Sequence, residues 1–120
     1  MSILKVSIII PVYNCSLLVI RCLDSVFNQR GDFEKEVIVI DDGSTDNSAE
    51  LICNYNHPIR FIQQTNLGPA AARNRGIEAA TGKYIAFLDA DDYWKSVFLI
   101  NTVEFLEKNP EAMAVSTGQL

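Results

Sequence analysis

Basic residues are in the minority: 10 Lys and Arg stand against 15 Asp and Glu, a net charge of −5. Nucleic acid is thereby excluded as the main ligand, because a phosphate backbone needs clustered cations. Histidine occurs once, as His57 before Pro58, and no Ser/His/Asp or Cys/His set can be assembled. Cysteine occurs three times, at Cys15, Cys22 and Cys53, too sparsely for a disulfide scaffold or a zinc site. Two of the three lie in apolar stretches and are read as buried free thiols of a reducing compartment. With 6 glycines and 4 prolines, collagen-like and low-complexity classes are out. Neither a GxGxxG nor a GxxxxGK[ST] phosphate loop is present. No apolar run approaches the ~20 residues of a membrane helix. The first twelve residues, interrupted by Pro11, lack the apolar length and cleavage site of a signal peptide. These absences describe a soluble chain, expected in the cytoplasm.

What is there is an ordinary globular composition: 120 residues, 48% hydrophobic and 21% charged, one domain or a piece of one. Strands and helices alternate along it. KVSIIIPV at 5–12 is a β-branched run that suits a buried parallel strand. Residues 16–29 carry Leu17, Leu18, Ile20, Leu23, Val26 and Phe27 at helical spacing. KEVIVI at 35–40 is a second buried strand, and Asp46 or Ser48 can cap a short helix running to about Asn56. A third strand is expected over 59–63, then an Ala-rich helix opened by Gly68 and Pro69, with Gly82 just past its end. A fourth strand at 83–88 leads to a helix over 96–109, stopped before Pro110, and residues 112–115 open a further strand. The alternation predicts a doubly wound, mostly parallel, Rossmann-like α/β sheet with helices on both faces. Polar clusters close its strands at the carboxyl ends, where open α/β sheets bind ligands.

Three constellations carry chemistry. In Asp89-Ala90-Asp91-Asp92, alternate positions of an extended segment share a face, so Asp89 and Asp91 can point the same way. Two such carboxylates repel unless a cation lies between them; Mg²⁺ or Mn²⁺ satisfies both and keeps positions for phosphate oxygens. A helix-entry turn is the bland alternative. In DDGSTD at 41–46, Gly43 permits the turn, and neighbouring strand residues face opposite ways. One of the two acids should therefore face the cleft: Asp42 is favoured for a base or ribose, Asp41 for local structure. In NLGPAAARNRG at 66–76, small residues let a helix approach the sheet, and Arg73 and Arg75 lie on different faces. One of them binds pyrophosphate or base, or holds the acids; the other is a surface arginine. Tyr13, with Asn14 after the first strand, could cover a planar base or pack in the core. Trp94 is expected behind the acidic loop, and His57 in solvent.

Taken in order, VSIIIPVYN (6–14), VIDDGSTD (39–46), NLGPAAARNRG (66–76) and FLDADD (87–92) resemble family-two glycosyltransferases of the GT-A fold over nearly the whole chain. The resemblance implies a nucleotide-binding half that takes a nucleotide diphosphate sugar, usually a UDP-sugar. It places Pro11 and Tyr13 beside the base, Asp42 on uracil with Asp41 adjoining, and Arg73 nearby. Asp89 and Asp91 match the DXD motif, the second acid on Mn²⁺ or Mg²⁺ and the first toward ribose. An inverting transfer to a saccharide, lipid-linked or other hydroxyl acceptor is implied, in polysaccharide biosynthesis, at the inner face of a membrane if the full-length protein is associated with one. The family's catalytic base lies in its second half, so none is assigned within 1–120.

Residues 1–120 are accordingly expected to be a truncated N-terminal donor half, inactive alone and prone to self-association. A receiver-like signalling domain is the alternative: residues 37–42 would be its first strand and acidic pair, and Asp89 its phospho-acceptor. The strand at 5–12 has no place in that fold. A nucleotidyltransferase lacks its Gly- and Arg/Lys-rich loop here.

Overall fold

A computed structural model describes residues 4–111. The elements run β1 (Lys5–Val12), α1 (Val19–Phe27), β2 (Glu34–Asp41), α2 (Ser48–Cys53), β3 (Arg60–Gln63), α3 (Pro69–Ala79), β4 (Tyr84–Phe87) and α4 (Phe98–Lys108). All four expected strands form, and every pairing is parallel, in the order β3-β2-β1-β4. The strand expected at 112–115 lies outside the described residues.

The sheet alternates its side chains into two cores. Val6, Ile8, Ile10 and Val12 of β1 face α1, α2 and α4, packing with Leu23, Val26, Ile52, Leu99 and Val103. Ile9, Ile38 and Ile40 face the other way, onto Ala72 of α3. Gly76 is what lets α3 sit so close. A Cβ there would lie 2.4 Å from Ile9 Cγ2 and 3.0 Å from Ile40 Cδ1. β4 shows the same alternation: Tyr84 and Ala86 pack on the larger core, while Ile85 and Phe87 are exposed.

Two helices start later than their periodicity predicts. The turn at Cys15–Leu18 is diverted because Cys15 N–H donates to Ser48 Oγ and Ser16 N–H to Asp46 Oδ2. α4 starts at Phe98 because Ser96 O accepts from Arg30 N–H, at 2.9 Å. The short helix α2 is not capped by its N-cap residue, Asn47; Asp46 Oδ1 accepts from Ser48 N–H instead, at 2.9 Å. Cys22 is buried, but Cys15 is half-buried and Cys53 exposed, so burial of the thiols holds fully for one. Among the described residues no helix is long and apolar enough to cross a membrane.

At the amino ends of the strands a polar knot ties sheet to α3. Ser7 Oγ donates to Glu36 Oε1 at 2.6 Å, Thr81 N–H and Oγ1 reach the same carboxylate, and Gly82 N–H donates to Ser7 Oγ. Burial raises the Glu36 pKa, but these donors outweigh it and hold the carboxyl below its ordinary value. That end is structural. The other end is open.

Candidate functional site

β1 turns one way to β2 and β3 and the other way to β4, so the strand order reverses between β1 and β4. A crevice at the carboxyl ends of the strands follows from that reversal. A cleft of about 660 Å³ lies there, lined by Pro11–Cys15, Asp42, Asn66, Gly68, Pro69, Arg73 and Asp89–Asp91. The volume is that of a site for a small organic ligand.

The acids of DDGSTD separate by strand alternation. Asp41 is buried in β2 and its Oδ1 accepts a long bond from Ser44 N–H, 3.4 Å, within the turn. It does not line the cleft. Asp42 does, and it is 4% exposed. Its carboxylate accepts from Gln64 Nε2 at 2.9 Å, Leu67 N–H at 2.8 Å and Gly68 N–H at 3.0 Å. Burial pushes its pKa up, yet the three donors prevail and hold it below the usual aspartate value. Asp42 is therefore an anion at neutral pH that fixes the loop leading into α3.

Asn14 locks the opposite wall, a role its sequence does not announce. It adopts φ 48°, a left-handed conformation that Asn tolerates better than most residues. Its Oδ1 accepts from Thr45 N–H at 2.7 Å and Asp46 N–H at 3.2 Å, while Asn14 N–H donates to Ser44 Oγ. The loops after β1 and β2 are thus stapled together. Tyr13, at the start of the first of these loops, is 50% exposed at the cleft.

Across the cleft, Arg73 Nη2 lies 3.6 Å from Asp89 Oδ1. Arg75 is exposed and away from the lining. The surface reading holds for it. Pro69 and Ala72 bring the first turns of α3 to the lining, and that turn contains no acid. A helix amino terminus favours an anion.

The acidic loop packs on α1. Trp94 is buried and its ring stacks on Phe98, centroids 4.6 Å apart, while its backbone N–H donates to Ser25 Oγ. Gln29, 6% exposed, donates to Lys95 O and accepts from Leu99 N–H. Cys22 donates weakly to Asp89 O at 3.6 Å; burial above all, then Cys15 and the three acids nearby, pushes its thiol up to about 12. That thiol is an inert structural donor. His57 is exposed, as expected, though its ring stacks on Phe27.

Asp89 and Asp91 are the carboxylates that the acidic loop brings to the cleft. Among the described residues no group of three or more His, Cys, Asp or Glu gathers, so there is no all-protein cage. Mg²⁺ or Mn²⁺ fits this donor set, because such ions are held by one or two carboxylates completed by water and substrate phosphates. Zinc, which wants three or four nitrogen and sulfur donors, does not.

Known proteins resemble this chain in sequence and in fold. An uncharacterized glycosyltransferase of Rickettsia felis is 48% identical over 107 residues, covering 88% of this chain and 18% of that protein. The chain thus spans under a fifth of that relative. S. aureus TarS 1–349 in complex with UDP superposes with a TM-score of 0.82 at 28% identity, over 95% of this chain and 38% of that one. The mannosyltransferase PcManGT from Pyrobaculum calidifontis, in complex with GDP-Man and Mn²⁺, gives 0.79 at 30% identity, over 88% and 33%. The parallel α/β sheet is that of GT-A glycosyltransferases, which sets the receiver-like alternative aside. With the sequence pattern of glycosyl transferase family 2 matching residues 7–119, the chain belongs to that family.

Proposed function

We propose that the cleft binds the donor of an inverting, metal-dependent glycosyl transfer, a nucleotide diphosphate sugar of the UDP type. The observation that carries the reading is the meeting, in one crevice, of an exposed ring, the carboxylates of Asp89 and Asp91, the first turn of α3 and Arg73 just beyond that turn. Each matches one part of such a donor. Tyr13 and Pro11 border a planar base, and Asp42 has a carboxylate for its N–H groups. Arg73 and the first turn of α3 favour the diphosphate. Asp89 lies toward ribose, and Asp91, with Asp89 beside it, would hold Mn²⁺ or Mg²⁺, which supplies charge compensation for the departing diphosphate.

The residues lining the cleft are read as binding and orienting the donor, and none of them is assigned to an acceptor. Asp42 holds its loop, Asp41 its turn and Asp46 the start of α2. The base and the acceptor pocket, for a saccharide, lipid-linked or other hydroxyl acceptor, are proposed to lie outside residues 1–120. Positioning of that hydroxyl supplies much of the rate, so residues 1–120 alone should turn over a UDP-sugar only at background.

Calorimetry with UDP tests the reading. Binding should be weak without metal and strengthen on adding Mn²⁺, and Asp91→Asn should remove the difference. Equal affinity with and without Mn²⁺, in the unsubstituted protein, would overturn the metal assignment.

A further inference from the structure

The loop that carries Asp89 and Asp91 has no regular structure between β4 and α4, and α1 with Gln29 just past its end supplies atoms that hold it. Its second half is fastened by half-buried Ser25, whose Oγ accepts from the Trp94 backbone N–H, and by buried Gln29, on Lys95 O and Leu99 N–H. Its first half, which bears both carboxylates, meets α1 through the Cys22 thiol, a weak donor, and through Arg21. Arg21 Nη2 donates to Asp91 O at 3.0 Å, and its guanidinium carbon lies 4.6 Å above the Tyr93 ring. One side chain thus grips the backbone of Asp91 and the aromatic ring two positions on.

We propose that Arg21 is a positioning residue for the carboxylate of Asp91, an inference that rests on the donor-site reading above. A cation placed near a dication's ligand is electrostatically adverse, since like charges repel. Its presence is accounted for by geometry: the fork fixes the Asp91 peptide, and thereby the direction in which the carboxylate leaves the chain. The two effects have opposite signs, which makes them separable. If Arg21 acted through charge alone, its removal would tighten metal binding. Acting through position, its removal weakens it.

The test is a Mn²⁺ titration of the intact protein at saturating UDP, read from the electron paramagnetic resonance signal of free Mn²⁺. Arg21→Met should weaken Mn²⁺ binding by on the order of tenfold, the usual effect of losing a group that orients a ligand. Arg21→Lys, which keeps a donor cation on a long flexible stem, should recover part of it. UDP affinity without metal and the thermal midpoint should not move, since Arg21 is exposed. Unchanged or tighter Mn²⁺ binding in Arg21→Met, with Asp91→Asn weakened, overturns the role of Arg21 alone. Unchanged binding in both variants overturns the site reading and this inference with it.

Discussion

Asp42 shows how much one residue's chemistry decides. A buried carboxylate costs free energy unless paired, and here two amide hydrogens and a side-chain amide accept that role. Its native pKa is depressed below the ordinary 3.8. Stability from such a group is fully present above that ordinary value and is lost as pH falls through the lower native one. Asp42→Asn should therefore lower stability at neutral pH by about 1–3 kcal/mol, the cost of leaving buried donors unmatched. The gap from the unsubstituted protein should narrow below pH 3.8. Thermal unfolding across pH 2–7 checks it, and a gap independent of pH would contradict the role. Strand alternation made Asp42 legible as the cleft-facing acid and Asp41 as the inward one. The left-handed Asn14 was not legible, because its conformation is set by Thr45 and Asp46 from another loop.

At the scale of elements, runs of Val and Ile identified the central strands β1 and β2, which are buried on both faces; β3 and β4 are shorter, more exposed and carry no such run. Helix starts were less legible. Val19 and Phe98 begin their helices where long-range bonds release the chain, and periodicity carries no trace of Ser48 or Arg30. The clamp of Arg21 in α1 and Gln29 just past it on the acidic loop was invisible for the same reason: its partners are 66 to 70 positions away. The close seat of α3 was legible in its small residues, and it sets a clear expectation. Gly76→Ala improves helix propensity by up to about 1 kcal/mol. Against that, the new methyl meets stiff, fully buried Ile9, and overpacking costs about 1–3 kcal/mol. The clash should win and lower the thermal midpoint by several degrees. A higher midpoint would show that α3 slides freely on the sheet.

Across the whole molecule, the two ends of the sheet divide the work. The amino ends are closed by the Ser7–Glu36–Thr81 knot, and the carboxyl ends open into the cleft. Binding a donor should leave the first end unmoved. The most direct measurement is amide NMR of the chain with UDP and a trace of Mn²⁺, whose unpaired electrons broaden nearby signals. The account expects the amides of residues 89–92 to vanish first and those of 12–15, 66–68 and 70–73 to weaken when UDP is present. Glu36, Thr81 and Gly82 should stay sharp. Broadening centred at that closed end, or broadening of residues 89–92 that UDP does not enhance, would contradict the claim that this cleft holds a metal-bridged nucleotide diphosphate.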